Sequence, residues 1–315
     1  MPIVTILDDY QGVALTSTDW SRVRDRYTVE VVREHIAEES DLLRRLQHTE
    51  IVVVMRERTA FPASVLGGLP TLRLLVTPGM TNAAIDLDAA RERGIVVSGT
   101  GGTSTAVPEL TMGMIIALTR NFAVEDAHVR AGGWQHTIGP GLAGATLGIV
   151  GLGRLGVPVA GLAQAFGMSV LAWSPNLTAE QALVHGVRAV DKQTLFAESD
   201  VVTIHMPLSE RSRGLIGADD LARMKATAYL INTSRGPIVD EAALVDALQG
   251  GRIAGAGLDV YDIEPLPGDH PLRRLPNTLL LPHIGYVTTD TYRTWYREIV
   301  EDILAWTAGA AIRTL

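Results

Sequence analysis

Three segments of this chain run from apolar residues into a side chain able to do chemistry. Leu230-Ile231-Asn232-Thr233-Ser234-Arg235-Gly236 ends in hydroxyls and an arginine, whose planar guanidinium can grip a carboxylate through two parallel hydrogen bonds. Gly257-Leu258-Asp259-Val260-Tyr261-Asp262-Ile263-Glu264-Pro265 spills acids into a loop. Leu281-Pro282-His283-Ile284-Gly285-Tyr286 sets a histidine after another apolar run. Histidine exchanges protons near neutrality, and a carboxylate beside it would hold the ring and favour its charged form. Singly, such residues are more often packed or solvated than reactive. Together they make a carboxylate clamp, a proton donor and an acid to tune it.

A fourth segment supplies a place for a cofactor. Thr146–Val150 reads as a strand and leads directly into Gly151-Leu152-Gly153-Arg154-Leu155-Gly156, followed by an amphipathic stretch from Val157 to Gly167. With 31 glycines in 315 residues, a G-x-G-x-x-G is weak by itself. Framed by strand and helix, it reads as a dinucleotide turn. Gly151 permits the tight turn, Gly153 lets the backbone approach a pyrophosphate, and Gly156 lets the helix pack close to the sheet.

Positioning these groups requires a sheet whose strands all end on one edge. Candidate strands are Ile3–Leu7, Ile51–Val54, Leu72–Val76 and Ile95–Val97, with helices between them such as Ser40–His48 and Asp86–Arg93. A second series follows Thr146–Val150 with Ser169–Trp173, Val201–Ile204, Ala228–Ile231, Ile253–Leu258 and Thr278–Leu281. The runs lack polar alternation, as strands covered on both faces should. Strand–helix alternation of this kind implies α/β architecture with two doubly wound parallel sheets. One long helix is expected over Thr105–Arg130, with N-cap hydroxyls in Gly101-Gly102-Thr103-Ser104-Thr105. Another, over Thr288–Trp306, would return the C-terminus to the first domain.

Composition narrows the function. A net charge of −8 argues against nucleic acid or an anionic membrane as partner. The absence of cysteine excludes disulfides, zinc–thiolate sites and a cysteine nucleophile, and no metal site is expected. No apolar run approaches the ~20 residues of a membrane helix, and the opening residues carry Asp8 and Asp9 rather than a basic leader. A cytoplasmic protein is expected.

The ordered set of GLGRLG at 151–156, HMPLSERSRGLI at 205–216, NTSRGPIVDEAALVDAL at 232–248, GLDVYDIEP at 257–265 and LPHIGY at 281–286 resembles the D-isomer-specific 2-hydroxyacid dehydrogenases. Weaker similarity covers Val76–Asp86, Arg91–Val97 and Pro108–Arg120. The resemblance implies a Rossmann-type cofactor domain over 99–285, inserted into a flavodoxin-like, discontinuous substrate domain over 1–98 and 286–315. It implies hydride transfer between a nicotinamide cofactor, NAD or NADP, and a small 2-keto or D-2-hydroxy acid. By that likeness Arg235 binds substrate, His283 is the acid/base and Glu264 its partner. Asp259 holds the nicotinamide carboxamide, Arg154 and Leu155 meet the pyrophosphate, and Met206, Pro207, Thr233, Ser234 and Gly285 line the cofactor. Val76, Thr77, Pro78 and Gly79 resemble the loop whose backbone N–H groups hold the substrate carboxylate. The family is usually dimeric through the helix from Thr105 and the loop after it, so a homodimer is expected.

Departures from the family pattern bear on substrate and cofactor. Tyr286 stands where many members have a small residue, and the loop reads Thr77-Pro78-Gly79-Met80 instead of a glycine-rich version. Arg56 follows a strand end and either reaches the cleft or is a solvated surface arginine. The place for an acid on the ribose 2′-hydroxyl holds Ser174, followed by Pro175 and Asn176, with no acid before Glu180. A relaxed preference between NADH and NADPH is expected. Two rivals keep the fold: a non-catalytic NAD-binding sensor of the corepressor type, and an oxidase of formate or phosphonate using the same cofactor.

Overall fold

The computed structural model describes residues 1–102 and 105–315. The chain divides into two compact units, Met1–Thr103 with Val287–Leu315, and Ser104–Tyr286.

The first unit is a five-stranded parallel sheet of β1 (Ile3–Ile6), β2 (Thr28–Val31), β3 (Thr49–Val53), β4 (Leu74–Thr77) and β5 (Val96–Gly99), in the order β2-β1-β3-β4-β5. This is the doubly wound order of flavodoxin-like sheets, which reverses beside β1. β1, β3 and β4 are aliphatic and almost wholly buried, as strands covered on both faces must be. β2 was not anticipated from sequence. It lies at the sheet edge, half exposed, and its Thr-Val-Glu-Val lacks an apolar run.

The helix Thr289–Thr307, capped by the Thr288 hydroxyl, belongs to this unit. Its Trp295 indole donates to the Gly101 carbonyl (3.0 Å), and its Glu298 accepts the Gly101 N–H (2.6 Å). Gly99 N–H donates to the Arg313 carbonyl of the C-terminal tail (2.8 Å). These bonds keep 99–101 with the first unit, past the boundary expected at residue 98.

The second unit is a seven-stranded parallel sheet. Its strands are β6 (Thr146–Val150), β7 (Ser169–Trp173), β8 (Arg188–Ala189), β9 (Val201–Ile204), β10 (Tyr229–Asn232), β11 (Gly255–Leu258) and β12 (Thr278–Leu280), ordered β12-β11-β10-β9-β6-β7-β8. The order reverses between β6 and β9, the crevice where open α/β sheets bind ligands.

The single helix expected over Thr105–Arg130 is two, Ala106–Thr119 and Phe122–Arg130. Asn121 takes a left-handed conformation (φ 52°), which asparagine tolerates and which ends one helix while opening the next. The cap hydroxyls of Thr103 and Ser104 lie outside the described residues, and Thr105 makes no side-chain cap bond. No described helix is long and apolar enough to cross a membrane.

Candidate active site

The glycine turn follows β6 at the reversal point. Gly151 (φ 101°) donates its N–H to the Trp173 carbonyl (2.9 Å), and a Cβ there would lie 2.6 Å from the His205 carbonyl oxygen. A Cβ on Gly156 would lie 2.2 Å from the Gly151 carbonyl oxygen. Both glycines are required by close backbone approach. Gly153 differs, since nothing lies within 4 Å of where its Cβ would be. The helix Gly156–Ala165 has no side-chain cap, and among the described residues the Leu155 and Gly156 amides make no hydrogen bond. An open face above unspent helix-end amides fits a dinucleotide pyrophosphate. Arg154 is exposed beside it and Leu155 half-buried.

The end of β7 lies against this turn. Ser174 is half-buried and Asn176 exposed, and Glu180 sits inside the helix Ala179–Leu183. Met206 packs by its Cγ near Gly151, while the Pro207 carbonyl accepts the Ser212 hydroxyl (2.7 Å). His205, which the sequence reading passed over, is buried with Nε2 3.0 Å from the Thr203 hydroxyl; burial pulls its pKa down to about 4.

Arg235 leaves β10 on a turn built by Asn232. The Asn232 side chain accepts the Ser234 N–H (3.0 Å) and donates to the Arg235 carbonyl (3.0 Å). The Ser234 hydroxyl donates to the Ile204 carbonyl (3.0 Å), and Thr233 meets the Thr111 hydroxyl at 3.0 Å. A Cβ on Gly236 would sit 2.0 Å from the Tyr261 carbonyl carbon. The arginine turn is thereby pressed against the loop that carries Glu264.

Glu264 and His283, 19 residues apart, meet. Glu264 Oε2 lies 2.6 Å from His283 Nδ1, and Oε1 accepts the Tyr261 N–H (2.9 Å). With Nδ1 turned to the carboxylate, Nε2 is left as the nitrogen that can exchange a proton, and it makes no hydrogen bond among the described residues. The Tyr286 ring stands edge-on to the imidazole, centroids 5.5 Å apart.

Asp259 braces the histidine from behind. It is 1% exposed, and its two oxygens accept the N–H groups of Ile284 (2.7 Å) and Gly285 (2.8 Å). Burial pushes its pKa up to about 6, against the pull of these amides and of His283. His283 itself sits in the left-handed region (φ 54°), a conformation that persists only where surroundings over-determine it. Tyr261 ties β11 to the chain beyond β12, donating its hydroxyl to the Leu258 (3.1 Å) and Leu281 (2.9 Å) carbonyls.

In the first unit, the loop after β4 has one of its expected amides already bonded. Val76, Thr77 and Pro78 are buried. Pro78 has no N–H, and that of Gly79 (φ 83°) is given to the Thr100 hydroxyl (3.0 Å). The amides from Met80 to Ala83 have no partner among the described residues, and the next, Ala84 N–H, donates to the Asn82 side chain (2.9 Å). Arg56 is no solvated arginine: its Nη1 donates to the Pro78 carbonyl (2.7 Å) and fills the space beside Gly79. Among the described residues no group of three or more His, Asp or Glu side chains is placed to hold a metal.

Residues 112–285 match the model of the D-isomer specific 2-hydroxyacid dehydrogenase NAD binding domain. The chain is 37% identical over 276 residues to D-3-phosphoglycerate dehydrogenase of Archaeoglobus fulgidus, covering 87% of this chain and 52% of that one. It therefore spans about half the length of that relative. It is 37% identical over 277 residues to glyoxylate reductase of Thermofilum pendens, covering 85% of this chain and 81% of the other. The crystal structure of phosphoglycerate oxidoreductase from Vibrio cholerae superposes with a TM-score of 0.93 at 34% identity, covering 98% of this chain and all of that one.

Proposed function

The chain belongs to the D-isomer specific 2-hydroxyacid dehydrogenase family, and from that premise we propose that it reversibly reduces a small 2-keto acid to the D-2-hydroxy acid, with His283 as the acid/base. The observation that carries this reading is the Glu264–His283 pair at 2.6 Å, which leaves Nε2 open. A bound nicotinamide dinucleotide supplies or accepts the hydride. Arg235 grips the substrate carboxylate and draws charge from the carbonyl. His283 gives its Nε2 proton to the developing alkoxide, and Glu264 supports the imidazolium before transfer. In the oxidative direction the neutral ring takes the hydroxyl proton.

Both nicotinamide cofactors are accepted at comparable rates. Ser174 and Asn176 can hydrogen-bond a ribose but carry no charge to repel a 2′-phosphate, and Glu180 is committed to a helix. The protein works as a homodimer in the cytoplasm, where these cofactors circulate. Support for the dimer comes from the exposed apolar side chains of Phe122, Val129, Trp134 and Ile138, clustered on the helix Phe122–Arg130 and the loop after it.

The test is absorbance at 340 nm with a panel of 2-keto acids, run with NADH and with NADPH. His283→Ala should lose at least ~10²-fold in turnover on the best substrate, the usual range for acid–base catalysis. Wild-type turnover in that variant would remove His283 from its role. No oxidation of either cofactor with any keto acid would favour the sensor reading.

A further inference from the structure

A second histidine–carboxylate pair lies behind the loop that carries Glu264. Glu241 opens the helix Glu241–Gln249, and its Oε1 is 2.9 Å from His270 Nε2. His270 caps the short helix Pro271–Arg274, its Nδ1 accepting the N–H of Leu272 at 3.3 Å. A nitrogen that accepts an N–H carries no proton, so the ring is held as the Nε2–H tautomer and donates to Glu241 while neutral. Leu272 is fully buried in the core, which gives the ring a rigid mount.

The other oxygen of Glu241 accepts the N–H of Asp262 (3.3 Å). The adjacent amide, Tyr261 N–H, is the one that holds Glu264. Two consecutive amides of one loop are thus divided between two carboxylates, Glu241 on the inner side and Glu264 facing His283. The same stretch of backbone is fixed from below by Gly236, whose Cβ position lies 2.5 Å from Asp262 N.

We propose that Glu241 and His270 are positioning residues for the acid–base couple, setting the loop from which Glu264 reaches His283. This rests on the proposed dehydrogenase activity. A single hydrogen bond between two side chains contributes little to stability on its own. Its weight here comes from the amide it holds, two residues before Glu264. The charged groups that act on Asp262 are Glu241, Arg213, Asp240 and His270; Asp259 feels His283 and Glu264, and Tyr261 feels Asp259, Glu264 and Arg273.

Glu241→Gln tests this, because a side-chain amide cannot accept from both His270 and Asp262. Turnover should fall by roughly tenfold to 10²-fold, the scale of an ångström-level misplacement. KM for keto acid and cofactor should stay within about threefold. The pH profile of kcat should move toward that of Glu264→Gln. The double variant Glu241→Gln/Glu264→Gln should be no slower than Glu264→Gln alone, since both act through one contact. His270→Gln keeps an N–H donor and should restore most of the activity lost in His270→Ala. An unmoved pH profile with only a lowered Tm, or losses that multiply in the double variant, would overturn the proposal. Should the wild type turn over no keto acid, the proposed function fails while this inference is still read by NMR of ¹⁵N-histidine-labelled protein. The His283 ring titration should then move in Glu241→Gln in the direction it moves in Glu264→Gln, and an unmoved titration would overturn the inference.

Discussion

Replacing Asp259 with Asn should slow the enzyme far more than it unfolds it. Asp259 accepts two backbone N–H groups, at 2.7 and 2.8 Å, and thereby fixes the turn that holds His283 at φ 54°. Hydrogen bonds to a charged acceptor contribute about 1.5–3 kcal/mol each. Asparagine keeps one neutral bond of about 1 kcal/mol and sets an amide N–H against the other donor, a net loss of about 2–4 kcal/mol. A non-glycine residue in the left-handed region costs on the order of 1–3 kcal/mol, so the turn is then free to relax. The same substitution removes a buried charge. With its pKa pushed up to about 6 by burial, ionised Asp259 carries a desolvation cost at pH 8 that asparagine does not. The two effects offset each other in stability but not in rate. Thermal unfolding at pH 8 should therefore move by only a few degrees. The kcat for keto-acid reduction, measured at saturating keto acid and cofactor, should fall by roughly 30-fold to 10³-fold. A kcat within about threefold of wild type would show that Asp259 does not hold the histidine turn.

Ser174→Asp should shift the ratio of kcat/KM toward NADH over NADPH, because a carboxylate there repels a 2′-phosphate; an unchanged ratio would place the ribose elsewhere. Asp302 is fully buried on the helix Thr289–Thr307, bonded to Arg313 at 2.9 Å, and burial pushes its pKa up to about 7. The folded state keeps this proton where the unfolded chain has lost it, so its contribution to stability declines from about pH 4 and is lost by about pH 7. Asp302→Asn should gain on the wild-type Tm progressively as pH rises from about 4 to about 7 and keep that gain at pH 8; a lower Tm at pH 8 would mean that the ionised pair with Arg313 is net stabilising. Trp134→Asp with Ile138→Asp should yield monomers by light scattering without loss of Tm, and a dimer that persists would move the interface off the loop after the helix Phe122–Arg130.

Much of the cofactor side was written in the chain. The spans expected for β6, β7 and β9 coincide with the strands residue for residue, because strands covered on both faces must be continuously apolar. Turn glycines are equally legible, since Gly151 and Gly156 stand where no Cβ fits. Edge strand β2 was invisible because a half-exposed strand needs no apolar run. The break at Asn121 was hidden because helical periodicity continues on both sides of a single left-handed residue. Sequence also named Arg235, Glu264 and His283 as chemically able groups, but types and spacing carry no distances. Folding decided that Glu264 meets Nδ1 and leaves Nε2 open, that Asp259 accepts the amides of the histidine turn, and that Glu241 and His270 stand behind the acid loop. It also decided that Thr100 takes the Gly79 amide and leaves those from Met80 to Ala83 open. Every residue but proline carries the same N–H, so which amides stay open is settled only when distant segments have taken their partners.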